Sequence, residues 1–237
     1  KNDSASKDKL AALVRSYGYT GRLEDFFDVP DQTFRTDHIE LTAKQKERIK
    51  KLPLEYPEPI VRVGKRHQVE NGVLVGNEFE DGETFPCEKI DKILDYAAEF
   101  PRMVVFAKYT AQIHQISNAI ARAGYNVMTM TGETKDRGAV IAEANRRAQN
   151  VFVVQAQISA GWELPEYPVM IFASRTYSFV DYDQALGRIQ RANNIKKNLY
   201  INLVVKGGTD EAVDKALENK SDFNERIYAD TNPLIHA

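Results

Sequence analysis

The chain has 237 residues, 43% of them hydrophobic and 28% charged, with 32 Lys+Arg against 34 Asp+Glu for a formal net charge of −2. These values describe a globular chain of one large domain or two small ones, and they exclude disorder, low complexity and a wholly basic nucleic-acid binder while leaving room for a local basic patch. One cysteine, Cys87, leaves no internal disulfide framework and no cysteine-based zinc site. No apolar run approaches the roughly 18 residues of a membrane span, and Lys1 to Lys9 is too polar for a signal peptide. A membrane partner is therefore not expected, and the compartment reads as intracellular: cytoplasmic, or nuclear in a eukaryote. The first residue is Lys1 rather than Met, which points to a piece of a longer protein.

In chain order, Leu10 to Val14 reads as part of a short helix ending at Gly18, and Thr33 to Leu41 as extended chain. Thr42-Ala-Lys-Gln45 has the form of a capping box opening a helix that carries Lys44, Lys46, Arg48, Lys50 and Lys51. Such a charge run is most simply a solvated face. Asn71 to Gly82 suggests a small hairpin, and Glu88 to Phe100 an amphipathic helix. From Met103 onward short apolar runs alternate with helical stretches. Met103–Ala107 is a strand. Thr110–Ala123 is a helix with Ile113, Ile116, Ile120 and Ala121 inward and Gly124 as its stop. Strands at Tyr125–Met130, Val151–Val154, Val169–Phe172 and Leu199–Val205 alternate with helices at Lys135–Ala148, Tyr182–Ala192 and Thr209 to about Arg226. The expected class is α/β, a mostly parallel sheet with helices on both faces, preceded by a segment with helices and a small hairpin. Residues 1–100 form this lead-in segment packed on the sheet unit, and residues 101–237 the sheet unit itself.

No phosphate-binding Gly-x-x-x-x-Gly-Lys-[Ser/Thr] loop and no Gly-x-Gly-x-x-Gly fingerprint occurs. The four histidines lack metal-ligand spacing, so no metal site is expected. The informative stretch is Asp183-Gln-Ala-Leu-Gly-Arg-Ile-Gln-Arg191. On a continuous helix Gln184, Gly187, Arg188 and Arg191 share one face. Two guanidiniums aimed at one place suit a polyphosphate, and a helical glycine suggests close approach by something. A solvated basic face paired to nearby carboxylates accounts for the spacing equally well.

Gln-x-x-Gly-Arg-x-x-Arg late in an α/β unit resembles motif VI of superfamily-two helicases and translocases. The other stretches follow in the same order: Val104–Ala107 resembles motif IV, Met130–Thr134 the next strand-end motif, and Val151–Pro165 motif V. Phe27–Thr33, Ile39–Gln45 and His67–Gly72 resemble the lead-in to the second ATPase lobe of Swi/Snf-type proteins. The similarity runs from about Asp25 to Val205. It implies a RecA-like carboxyl-terminal lobe of a DNA-dependent ATPase, a helicase or translocase acting on nucleic acid, with DNA favoured over RNA. That lobe would share its ATP and magnesium with a first RecA-like lobe, amino-terminal in the same polypeptide and supplying most of the phosphate and metal contacts.

By this resemblance Arg188 and Arg191 would be arginine fingers with Gln184 orienting them, and Gly161, Glu163 and Gly187 would line the nucleotide. Lys108, Thr131, Gly132 and Gln155 would meet the nucleic-acid backbone, Gln155 standing where relatives usually have Thr. The alternative is a non-catalytic RecA-like module that binds nucleic acid or protein and never meets ATP. Trp162 is expected at the surface, with stacking on a base or on adenine as the functional alternative.

Overall fold

The computed structural model describes residues 32–76, 81–158, 161–190 and 197–219, with Lys9, Ala12, Leu13 and Phe223 in addition. Arg191 and most of the segment from Leu10 to Gly18 lie outside the described residues. The elements run β1 (Gln32–Ile39), α1 (Ala43–Glu55), α2 (Pro59–Glu70), β2 (Val73–Leu74), β3 (Glu83–Thr84), α3 (Glu88–Glu99), β4 (Arg102–Ala107), α4 (Thr110–Arg122), β5 (Val127–Met130), α5 (Arg137–Arg146), β6 (Asn150–Gln155), β7 (Val169–Phe172), α6 (Phe179–Leu186), β8 (Asn198–Val205) and α7 (Thr209–Glu218). Six strands form one sheet in the order β1-β8-β7-β4-β6-β5, every neighbouring pair parallel. The fold is α/β and RecA-like, as expected.

Strand β4 explains the two-faced core. Successive side chains of a strand point to opposite faces, so Met103, Val105 and Ala107 join Ile93, Ile113, Ile116 and Ile120 of α3 and α4 in one apolar layer. Val104 and Phe106 join Ala144, Tyr182, Val213 and Leu217 of α5, α6 and α7 in the other. Being apolar on both faces is what makes this run a central parallel strand rather than an amphipathic edge. Phe106, Val153, Ile171 and Val204 are buried, whereas Val127 is only half-buried because β5 is the sheet's last strand.

The lead-in residues contribute β1, which pairs along its whole length with β8. Helix α1 opens on the expected capping box, with Gln45 N–H donating to Thr42 Oγ1 and Thr42 N–H to Gln45 Oε1. The antiparallel pair β2–β3 is the expected hairpin. Leu52, Val69, Leu74 and Phe85 close a small separate cluster beneath it.

Local expectations fail at four places. Helix α2 was not anticipated; Pro59 occupies its first helical position, where the missing N–H costs nothing. Ala121 is exposed, and the fourth inward position of α4 is Ser117, whose hydroxyl donates to Ile113 O at 2.7 Å. Helix α6 begins at Phe179, capped by Ser178, and ends at Leu186 instead of running to Ala192. Helix α7 stops at Glu218 with Asn219 as its cap, short of Arg226.

Candidate functional site at the carboxyl edge of the sheet

Loops that follow parallel strands gather at one edge, where such sheets bind ligands. Here the loops after β5, β6, β4 and β7 come from four adjacent strands. They hold every sequence-predicted site residue among those described, apart from the group in and after α6.

Two of the expected backbone-binding loops are tied together. Gln155, the last residue of β6, accepts a 2.7 Å hydrogen bond from Gly132 N–H through its Oε1. Thr131 accepts from Glu133 N–H, and its own N–H donates to Thr134 Oγ1 at 3.0 Å. Thr131, Gly132 and Gln155 therefore form one turn at the tips of β5 and β6. Lys108 lies one strand further on. Its backbone N–H donates to Ser174 Oγ at 2.7 Å, and its ammonium sits 2.8 Å from the centroid of the Tyr177 ring and 5.6 Å from that of Tyr109.

The second group centres on Arg188. Its Nε donates to Gln184 O at 2.8 Å and its Nη1 to Trp162 O at 2.7 Å, while Leu164 N–H donates to Arg188 O at 2.9 Å. The turn holding Gly161 and Glu163 is thus stitched to the end of α6. Asn145 of α5 adds a bond to Glu163 O at 3.2 Å. Gly161 has φ +83°, in the left-handed region where a side chain is strained. Trp162 is buried: it stacks on Phe106, meets Phe152 edge-on and donates to Ile158 O. It is a core anchor of this turn, neither a surface aromatic nor a stacking platform.

The helix end corrects the face argument. Gly187 is the carboxyl cap of α6 with φ −67°, and Arg188 follows in a turn, so Gln184, Gly187 and Arg188 do not share a continuous helix. A Cβ at Gly187 would meet its closest neighbour, Gln184 O, at 3.6 Å, an ordinary contact. Gln184 and Arg188 nevertheless meet, through backbone oxygen and guanidinium rather than through periodicity.

Behind the edge lies a buried ionic cluster that sequence reasoning missed. Lys89 Nζ donates to Asn71 Oδ1, Ala173 O and Asp210 Oδ2 at 2.6 to 2.7 Å. His67 Nε2 lies 3.0 Å from Asp210 Oδ1, and His67 Nδ1 lies 2.7 Å from the Tyr109 hydroxyl and 3.1 Å from that of Tyr177. Glu70 accepts from Arg66 and from Thr209 N–H at the start of α7. Burial, reinforced by Asp210, pushes the Glu70 carboxyl up to about 7. Burial also presses upward on Asp210, but Lys89 and His67 outweigh it and hold that carboxyl below the usual range. The only hint in the sequence was a histidine in register with Val63 and Glu70 on one face of a helix. A depression of about 200 Å³ lined by Ala97, Gly124, Tyr125 and Asn150, among others, lies at the opposite edge, away from all these groups.

Residues 87–193 match the helicase conserved C-terminal domain. Over 136 residues the chain is 23% identical to the ATP-dependent RNA helicase DBP3 of Yarrowia lipolytica, an alignment covering 56% of this chain and 26% of that protein. The chain thus spans about a quarter of that relative. In structure it is similar to the C-terminal part of the Fun30 ATPase domain, with a TM-score of 0.67 at 12% identity, covering 88% of this chain and 96% of that one. It is also similar to the Sulfolobus solfataricus SWI2/SNF2 ATPase core domain, with a TM-score of 0.65 at 15% identity, covering 98% of this chain and 54% of that one.

Proposed function

We propose that this chain is the carboxyl-terminal half of a two-lobed, DNA-dependent ATPase that steps along nucleic acid, a reading supported by the helicase-type C-terminal match over residues 87–193 and by the likeness in fold to SWI2/SNF2 ATPase structures. The observation that carries the reading is the junction at Arg188. One guanidinium joins the turn of Gly161 and Glu163 to the end of α6, so the residues assigned to the nucleotide stand together, beside the start of β8 rather than among the strand ends. Arg188, and Arg191 beyond the described residues, act as fingers on the transferring phosphate; Gln184 holds Arg188 through its carbonyl, and Gly187 caps the helix beside them. Lys108, Thr131, Gly132 and Gln155, on the loops of three adjacent strands, take the backbone of the nucleic acid.

Among the described residues no group of three or more His, Cys, Asp or Glu side chains converges as a metal site. Magnesium comes with the nucleotide, on a first lobe that also cradles the triphosphate. In such a division the second lobe supplies positive charge that strengthens its contacts as charge develops in the transition state. Within residues 1–100, β1 and α3 are built into the sheet and its core, and the remainder serves as a lead-in packed on residues 101–237. On α1, Arg48 is clasped by Glu55 and Glu83 and Lys51 by Glu47, which leaves Lys44, Lys46 and Lys50 as that helix's rival phosphate-binding cations.

The test is ATP turnover with and without nucleic acid, measured on the 237-residue chain and on the same chain joined to its first lobe. The chain alone is expected to be inactive and the joined protein active and stimulated by DNA. Robust hydrolysis by the chain alone would overturn the shared site. Stimulation by RNA in place of DNA would overturn the assignment of the track.

A further inference from the structure

We infer that His67 is a positioning residue for the nucleic-acid contact at Lys108, fixing the two tyrosines against which that lysine rests. The inference builds on the reading of Lys108 as a backbone contact.

His67 is fully buried in α2, far along the chain from the residues it organises. Its Nε2 faces Asp210, whose other oxygen accepts from Lys89 Nζ and, at 3.2 Å, from Val205 N–H. A carboxylate holding an ammonium in this way is an acceptor, so Nε2 donates to it. In a neutral imidazole Nδ1 is then the acceptor. Burial, opposed by Asp210, holds the imidazole below its ordinary pKa and so in the neutral form. Both hydroxyls within reach of Nδ1 belong to rings that meet the Lys108 ammonium, Tyr109 and Tyr177. A continuous chain of contacts thus runs from α3 through Lys89, Asp210 and His67 to Tyr109, Tyr177 and Lys108.

The placement has a use. A free lysine loses much rotamer freedom on binding, and one already laid along an aromatic face loses less. An imidazole, an ammonium and a carboxylate are costly to desolvate, and apolar side chains would fill the same space without that cost. What the polar set adds is a fixed orientation for two hydroxyl-bearing rings at a ligand-facing edge.

The test is a double-mutant cycle on oligonucleotide binding by the 237-residue chain, read by anisotropy of a labelled DNA duplex. His67→Gln keeps an N–H toward Asp210 and leaves nothing at the Nδ1 position. His67→Asn instead places an amide oxygen near Nδ1. Otherwise wild-type protein should lose about fivefold in affinity with His67→Gln, but less than about 1.5-fold when Lys108 is already Ala, because the histidine acts through that lysine. His67→Asn should restore affinity to within about twofold of wild type. Equal losses in both backgrounds, no loss, or no rescue by Asn would overturn the inference. If the His67 variants fail to fold, Tyr177→Phe, which removes only the hydroxyl, is taken through the same cycle with the same criteria. An unchanged affinity for Lys108→Ala alone would instead bring down the nucleic-acid reading, and the role of His67 with it.

Discussion

Helix α1 places five cations in the eight residues from Lys44 to Lys51, while the carboxyl edge of the sheet offers Lys108 and the far end of α6, beside the start of β8, offers Arg188. By charge density alone α1 is the obvious anion surface. Its partners decide otherwise. Arg48 is held by two carboxylates and Lys51 by a third, all on neighbouring surface, so two of the five charges are offset locally. Lys108 instead rests on an aromatic ring and Arg188 on backbone carbonyls. Rings and carbonyls fix the direction in which a cation points. Cation count measures composition, whereas the nature of the groups holding each cation determines whether an anion can use it.

The comparison breaks most sharply at Arg188. In the two-lobed protein Arg188→Ala should lower turnover by about 10³-fold or more. It should also lower the stability of the lobe by about 1–3 kcal/mol, because two carbonyls lose a charged donor. Arg188→Lys should recover little of the turnover, since an ammonium lacks the fork that spans Gln184 O and Trp162 O. Turnover assays and denaturant melts measure both effects. Gln155→Ala comes next: freeing Gly132 N–H should reduce nucleic-acid stimulation several-fold and basal turnover much less. Equal loss of both activities would move Gln155 to the nucleotide site.

A smaller effect separates the buried cluster from both surfaces. With its carboxyl raised to about 7 in the fold against roughly 4.3 in the unfolded chain, Glu70 binds more protons folded than unfolded. Its contribution to stability is therefore fully present below about pH 4.3 and is lost as pH rises through 7. Glu70→Gln removes that dependence. Relative to wild type the variant should gain about 1–2 kcal/mol between pH 5.5 and pH 8, read from urea unfolding at the two values. The smallest expected effect is at α1, where Lys51→Ala should leave the melting temperature unchanged, as for an exposed pair in water.

How far these features could be read in advance depends on the range of the interactions involved. The sheet was legible because β4, β6, β7 and β8 are apolar on both faces, a pattern that local sequence fully displays. The capping box at Thr42 and Gln45 was legible for the same reason. Helix α6 was not: the 3.6-residue spacing of Gln184, Arg188 and Arg191 is satisfied on paper, but the chain turns at Gly187 so that Arg188 can reach Trp162 O and accept from Leu164 N–H. Gln184 and Arg188 do meet, and the geometry that joins them is tertiary. His67, Lys89 and Asp210 were invisible for a stronger reason. They stand 22 and 121 residues apart in succession, and nothing in any one segment signals that α2, α3 and α7 converge.

The central claim is that phosphates land on the carboxyl edge and not on α1. The most direct measurement is the slope of log affinity against log salt for DNA binding by the 237-residue chain. It compares wild type, Lys108→Ala, and the triple variant Lys44→Ala, Lys46→Ala, Lys50→Ala. A lysine that neutralises a phosphate contributes about 0.9 to this slope. The account predicts a slope flatter by about that amount for Lys108→Ala and unchanged for the triple variant. A flattened slope for the triple variant with wild-type behaviour for Lys108→Ala would contradict it.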